Sequence, residues 1–103
     1  MQQELPPLIA QWKDDIVRII SKQLDMTTTH VFVFGSHADG TAHAGSDIDI
    51  GIETSEPLPD ATMALLKEEL ESLPTLRSFE LVDFATVSDE FREVAEKQII
   101  VLN

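Results

Sequence analysis

The chain has 103 residues, enough for one domain and too few for two, and 43% of them are hydrophobic, as in soluble globular proteins. Nineteen Asp and Glu against seven Lys and Arg give a net charge of −12, which argues against direct binding of DNA or RNA and favours a basic protein partner or a carboxylate-bound metal. No cysteine is present and no apolar run exceeds four residues, so we expect a cytoplasmic protein with no disulfide, thiolate metal site, signal peptide or membrane span.

The first 24 residues are predicted to form an amphipathic helix. Pro6 and Pro7 suit its first turn, where the fixed φ of proline is tolerated. Apolar side chains recur at steps of three and four residues and predict one buried stripe, made of Ile9, Trp12, Ile16, Ile19, Ile20 and Leu24. Residues 25–29 are expected to connect this helix to the first strand.

Two strands and a glycine-rich loop follow. His30 to Phe34 ends in four consecutive apolar residues, which predicts a strand covered on both faces. Residues 35–46 contain three glycines and are predicted to form a loop, with room for one helical turn. Asp47 to Glu53 alternates polar residues or glycine with isoleucine, so we predict a strand with one buried face.

The second half of the chain predicts a helix, a strand and a helix. The first of these helices begins with Asp60 as N-cap and ends before Pro74, with an apolar face of Met63, Leu66, Leu70 and Leu73. The strand is predicted over 77–84. Ser88 is expected to cap the last helix, whose buried side would contain Phe91, Val94, Ala95 and Ile99. Residues 99–102 fit either the end of this helix or a short fourth strand.

The order αβ-loop-βαβα predicts an α/β fold in which the helices cover one face of a small mixed sheet. Within this fold, Asp47 and Asp49 project from the same face of one strand. Neighbouring carboxylates repel each other, and a divalent cation such as Mg²⁺ or Mn²⁺ removes that repulsion. Alone, such a pair is more often a solvated strand face.

The dipeptide Gly35-Ser36 directly follows the first predicted strand. Glycine allows a sharp turn and a close approach to a ligand, and serine can offer its hydroxyl and N–H to a phosphate. Alone, the dipeptide is equally a plain turn with a capping serine. Together with Asp47 and Asp49 it predicts a phosphate cradle facing a metal site, which is the chemistry of nucleotidyl transfer.

The stretch GSHADGTAHAGSDIDI, residues 35–50, resembles the signature of the minimal nucleotidyltransferases of the DNA polymerase β superfamily. The length and element order agree, so the resemblance implies that residues 1–103 form a single minimal nucleotidyltransferase domain. It implies that Asp47 and Asp49 bind Mg²⁺ and that Gly35 and Ser36 hold the triphosphate of an NTP. Ser46 also matches the pattern of the family and is a candidate nucleotide-binding residue.

The resemblance also implies a third catalytic and metal-binding carboxylate on the next strand, with Glu80 and Asp83 as the candidates. The pattern of the family points to Glu80. Strand parity agrees, because Phe79 and Leu81 should face the helices and Glu80 the opposite side. We therefore favour Glu80 and keep Asp83 as the alternative. A glutamate in place of the usual aspartate is a departure from the family.

A second departure lies directly after Gly-Ser, where the family commonly carries arginine. His37 and Asp39 occupy this region, and residues 30–53 contain no Lys or Arg. Arginine offers phosphate a permanent charge and two parallel donors, whereas histidine is charged only when protonated. His37 is thus either a weaker phosphate contact or a solvated loop residue, and weaker NTP binding is expected.

The resemblance implies a function and a partner. The chain would transfer NMP, as AMP from ATP, to a hydroxyl group on a helical HEPN-type protein, as the antitoxin half of a toxin–antitoxin pair. The charge of −12 suits docking on a basic ribonuclease surface. The alternative is a non-catalytic module that neutralises its HEPN partner by contact alone. The missing arginine and the atypical Glu80 favour this alternative, and the presence of both Asp47 and Asp49 opposes it.

Overall fold

The computed structural model describes residues 5–103. Its elements in chain order are α1 (Pro7–Ser21), β1 (His30–Phe34), α2 (Ser36–Asp39), β2 (Ile48–Glu53), α3 (Asp60–Glu71), β3 (Phe79–Asp83), α4 (Asp89–Ala95) and β4 (Ile100–Val101). The predicted first helix is present, although residues 1–4 of that prediction lie outside the described range. Within residues 5–103, no helix is long and apolar enough to cross a membrane.

The four strands form one mixed sheet in the order β3-β2-β1-β4. β1 pairs antiparallel with both β2 and β4, and β2 pairs parallel with β3. A parallel pair needs a long crossover connection, which α3 supplies. The apolar segment at 99–102 contributes the short strand β4, the second of the two predicted alternatives.

The main hydrophobic core lies between α1, α3 and one face of the sheet. Five of the six residues of the predicted stripe are buried on α1, whereas Leu24 lies beyond the end of the helix and is only partly buried. The alternation of β2 holds, since all three of its isoleucines face this core. The fully or nearly fully buried members include Ile9, Trp12, Ile16, Ile19, Ile20, Val31, Val33, Ile48, Ile50, Ile52, Leu66, Leu70, Leu81 and Ile100.

The other face of the sheet carries a second, smaller cluster built from Phe32, Phe34 and Phe84. The Phe84 ring meets the other two edge to face, with centroids 4.8 and 5.1 Å away. Gly51 makes this packing possible, because a Cβ there would collide with the rings of Phe32 and Phe84. β1 is thus covered on both faces, as its apolar run predicted.

α4 lies across this second face, with the Phe91 ring against Phe34 and Phe84. The prediction that the helices cover one face therefore holds for α1 and α3 and is wrong for α4. The predicted buried side of α4 is also only partly correct, because Val94 is 68% exposed. Ala95 and Ile99, two other residues of the predicted side, do pack against the phenylalanine cluster.

The two later helices are capped differently. The Ser88 hydroxyl accepts a hydrogen bond from the Phe91 N–H at 3.1 Å, which confirms the predicted N-cap of α4. α3 begins at Asp60 itself, with Pro59 at the N-cap position and no side-chain cap bond, so the prediction of Asp60 as N-cap is wrong. At that position the Asp60 carboxylate still faces the positive end of the helix dipole.

Candidate active site

The Gly35 backbone turns the chain sharply from β1 into α2. Its φ of 71° and ψ of −151° lie in a region that is open almost only to glycine. A Cβ at this position would also collide with Oδ2 of Asp49. The Gly-Ser turn and the carboxylate of the second strand, which are 14 positions apart in the sequence, are therefore in direct contact.

The short helix α2 begins at Ser36, where the first backbone N–H groups of a helix have no intrahelical partner. Gly40, in the left-handed conformation at φ 85°, ends the helix. The Ser36 carbonyl accepts hydrogen bonds from the N–H groups of Gly40, Thr41 and Ala42, each at 3.1 Å. The loop thus folds back tightly over the start of its own helix.

Side-chain bonds hold the loop between α2 and β2. His37 Nε2 lies 3.1 Å from the Ser46 carbonyl oxygen, which can only accept, so this nitrogen carries the proton. The Ser46 hydroxyl accepts a hydrogen bond from the His43 N–H at 3.0 Å. His37 is therefore not a freely solvated loop residue, and both His37 and Ser46 take part in shaping the loop.

Arg77 makes a contact with this loop that the sequence did not indicate. Its guanidinium donates to the carbonyl oxygen of Ala44, from a position just before β3. Residues 30–53 contain no Lys or Arg, and Arg77 brings a guanidinium to this loop from the connection that precedes β3. Only the three-dimensional fold brings these two segments together.

The sheet register gathers three carboxylates on the face that carries the phenylalanine cluster. Asp49 is paired with Phe34 of β1 on one side and with Glu80 of β3 on the other. Asp47 lies two residues earlier, just before β2, and shares the parity of Asp49. Asp47 and Glu80 are exposed and Asp49 is half-buried.

This arrangement makes the Asp49 carboxylate costly to ionise. Burial raises its pKa, and the neighbouring carboxylates of Glu80 and Asp47 raise the pKa further, whereas His37 acts in the opposite direction. The pKa therefore lies above the ordinary range of an aspartate. A divalent cation between these oxygens would remove the repulsion and favour the ionised form.

The donor set fits Mg²⁺ as that ion is usually bound. Within residues 5–103, no group of three His, Cys, Asp or Glu side chains is arranged to hold a metal by itself. Mg²⁺ is commonly bound by one or two carboxylates, with waters and substrate phosphates completing its octahedron. Asp47 and Asp49 beside the Gly35-Ser36 turn provide the oxygen ligands for such a shared site.

The two candidates for the third carboxylate lie in different surroundings. Glu80 is exposed and directly beside Asp49. Asp83 is paired with Ile52 on the opposite face and is 6% exposed. Its two oxygens accept hydrogen bonds from the N–H groups of Leu58, at 2.8 Å, and Ala85, at 3.0 Å. Asp83 thus fixes two connections of the fold, and Glu80 is the carboxylate that lies with Asp49.

We expect Asp83→Ala to lower the free energy of unfolding by about 1–3 kcal/mol, because two N–H groups would lose their buried acceptor. Glu80→Ala, at an exposed position, should change it by less than about 0.5 kcal/mol. Urea unfolding followed by circular dichroism measures both. A large loss of stability for Glu80→Ala and none for Asp83→Ala would contradict these assignments.

Comparison with known proteins identifies the family of the chain. Residues 14–103 match the family described as Polymerase beta, Nucleotidyltransferase. The chain is 37% identical over 87 residues to the probable protein adenylyltransferase MntA of Haemophilus influenzae, covering 84% of this chain and 75% of that protein.

Solved structures share the fold. A crystal structure of a toxin–antitoxin with AMP-PNP superposes with a TM-score of 0.73 at 24% identity, over 88% of this chain and 72% of the other. A chain in the structure of the tri-AMPylated Shewanella oneidensis HEPN toxin in complex with MNT antitoxin superposes with a TM-score of 0.67 at 18% identity, over 91% of this chain and 71% of the other. From the family match and the 37% identical relative, the chain belongs to the polymerase beta family of nucleotidyltransferases.

Proposed function

We propose that this nucleotidyltransferase moves AMP from ATP to a hydroxyl group on a HEPN-type partner, as the antitoxin of a toxin–antitoxin pair. The observation that carries the proposal is the contact between the Gly35 turn and the Asp49 carboxylate, with Glu80 alongside. The 37% identical relative is named a probable protein adenylyltransferase. Two antitoxins of the same fold are associated with a toxin, and one of those toxins is AMPylated.

The carboxylates and the Gly-Ser turn have separate roles in the proposed reaction. Asp47 and Asp49, with Glu80 beside them, would hold Mg²⁺, which when bound neutralises phosphate charge and makes the attacking hydroxyl more acidic. Gly35 and Ser36 hold the triphosphate through backbone N–H groups and the serine hydroxyl. The acceptor oxygen then attacks the α-phosphorus and pyrophosphate leaves. Positioning and charge neutralisation supply most of the acceleration.

The acidity of the chain supports a protein partner. A net charge of −12 attracts a basic surface over a distance of about 10 Å at ordinary salt concentration. The same charge repels free nucleic acid, so we propose that the acceptor hydroxyl lies on the partner protein and not on an RNA. Association with the partner should become slower as salt is added.

His37 stands where an arginine is expected, and we propose that it supports the nucleotide site by fixing the loop. His37→Ala removes the hydrogen bond to the Ser46 carbonyl and should weaken ATP binding about 2- to 10-fold, the range of one hydrogen bond. His30→Ala, at an exposed position at the start of β1, is the matched control and should change nothing. Titration calorimetry with ATP and Mg²⁺ measures the affinities, and equal weakening by both variants would contradict the role.

The transfer itself is tested with the native partner. The two proteins are purified together and incubated with Mg²⁺ and ATP labelled either at the α- or at the γ-phosphate. We expect the α-label alone to appear on the partner, with an intact-mass gain of AMP. A partner that is bound and neutralised without gaining label under any condition would contradict the proposal and favour inhibition by contact alone.

A further inference from the structure

The Asp47 carboxylate lies outside the regular part of the sheet. β2 begins one residue later, at Ile48, and Asp47 is exposed. Asp49, by contrast, is held within β2 and lies against the Gly35 turn. Strand geometry therefore fixes one carboxylate of the proposed metal site, whereas the position of the other depends on the loop that leads into it.

Residues 43–46 form a closed turn just before Asp47. The Ser46 N–H donates to the His43 carbonyl, and the His43 N–H donates to the Ser46 hydroxyl, each at 3.0 Å. Ala44 lies inside this turn, and its carbonyl oxygen accepts a hydrogen bond from the Arg77 guanidinium. A contact at Ala44 therefore holds the whole turn, and through the turn it holds the residue that follows.

We propose that Arg77 is a positioning residue of the transfer site, which fixes the 43–46 turn and through it the carboxylate of Asp47. The inference rests on the proposed function, because it takes Asp47 to be a metal ligand. Arg77 is not proposed to touch the substrate or the metal. Its role would be to hold a ligand in place before the metal arrives, as groups behind metal ligands commonly do.

The connection before β3 holds the segment around Asp47 at two points. Arg77 binds Ala44, three residues before Asp47. The Ser78 carbonyl accepts from the Ile48 N–H, one residue after it, at 2.9 Å. Asp47 thus lies between two bonds to consecutive residues of one segment. Without the first bond, the turn would be free to move relative to β3.

Arg77 uses its charge on the loop and not on an acid. Among residues 5–103, no carboxylate lies within ion-pair distance of Arg77, although the chain has nineteen Asp and Glu. Its own N–H donates to the Thr75 hydroxyl at 3.1 Å, which fixes the backbone from which the half-buried side chain extends. A hydrogen bond from a charged donor is stronger than one between neutral groups. The contact is thus suited to holding an exposed loop.

Charge and positioning predict opposite effects of Arg77→Ala. Removal of a cation near carboxylates would, by charge alone, strengthen the binding of a divalent cation. Release of the turn would let Asp47 move and would weaken that binding. We expect Arg77→Ala to weaken the affinity for Mn²⁺ about tenfold and to lower kcat about tenfold, with the KM for the partner unchanged.

Mn²⁺ binds to the same oxygen ligands as Mg²⁺, and its affinity for the full chain is measured by electron paramagnetic resonance. Transfer is measured with the native partner and α-labelled ATP. Arg77→Lys keeps the charge and a donor and should recover part of both losses. Arg18→Ala removes the same charge from the exposed side of α1; it is the matched control and should change neither quantity.

Hydrogen exchange tests the turn itself, without metal. The Ser46 amide should exchange about tenfold faster in Arg77→Ala than in the wild type, while the amides of β1 keep their rates. Arg77→Met keeps the apolar stem and loses the donors. It should behave as Arg77→Ala does, and it replaces that variant if the alanine variant does not fold.

A double variant shows whether Arg77 acts through Asp47. Asp47→Asn should by itself weaken Mn²⁺ binding, and Arg77→Ala added to it should cause no further loss. Losses that simply add would overturn the inference and leave the proposed transfer standing. Unchanged or stronger Mn²⁺ binding in Arg77→Ala would do the same. A wild-type chain that neither binds Mn²⁺ nor transfers AMP would overturn the proposed function, and this inference with it.

Discussion

Asp49→Asn should abolish AMP transfer and, without metal, leave a chain that is more stable at neutral pH than the wild type. Activity is lost because the substitution removes a charged oxygen between the carboxylates of Asp47 and Glu80. We expect the rate of transfer to fall at least about 100-fold. The gain in stability follows from the surroundings of Asp49. Burial and the nearby Glu80 and Asp47 carboxylates raise its pKa, so the ionised side chain lowers the stability of the folded chain.

The pH dependence of that gain has a definite sign. Because the pKa of Asp49 is higher in the folded chain, the folded state binds this proton more tightly than the unfolded state. The favourable contribution is thus fully present at low pH and is lost as the pH rises through the raised pKa. Asparagine does not titrate, so the difference in unfolding free energy between variant and wild type should widen from about pH 3 to about pH 7.

Urea unfolding in the presence of a chelator measures this difference, with Asp14→Asn on the exposed side of α1 as the matched control. Mg²⁺ should stabilise the wild type and not Asp49→Asn, and should therefore reduce the difference in unfolding free energy between them. A variant that keeps full transfer activity would refute the metal role of Asp49. A variant that unfolds would show instead that this side chain holds the sheet together.

Gly35→Ala should have an effect of similar size on transfer, through geometry and not through charge. Its backbone lies in a glycine-only region, and the new methyl group would strike Oδ2 of Asp49. We expect a loss of about 1–3 kcal/mol of unfolding free energy and at least about 100-fold lower transfer, because the carboxylate or the turn must move. Thermal unfolding and the labelled-ATP assay measure the two effects.

Gly40→Ala separates strain from collision. Gly40 also has a positive φ, of 85°, but a Cβ there would meet nothing within 4 Å. This variant should lose about 1–2 kcal/mol of stability and keep most of its transfer activity. Equal loss of activity in the two variants would mean that backbone strain alone, and not contact with Asp49, explains the effect of Gly35→Ala.

The parts of the site that follow strand periodicity could be predicted from the sequence. Alternation over residues 47–53 placed Asp49 away from the isoleucine core, and parity placed Glu80 on the side of Asp49. The side of the sheet taken by α4 could not be predicted, since an apolar stripe shows which face of a helix is buried and not what lies beneath it. The contact of Arg77 with Ala44 joins segments 33 residues apart, and no local pattern encodes it.

The pairing of Asp49 with Glu80 across a parallel strand boundary also bears on how faithfully the chain folds. A one-residue slip of β2 against its neighbours would turn the side chains of Asp47 and Asp49 toward α1 and α3 and would expose the three isoleucines of β2. Such a misaligned sheet would bury uncompensated charge, at a cost of several kcal/mol per ion. The acidic side chains lower the stability of the native sheet when no metal is bound, but they lower the stability of a slipped register more. They therefore favour the correct strand register during folding, in addition to their proposed role in the reaction.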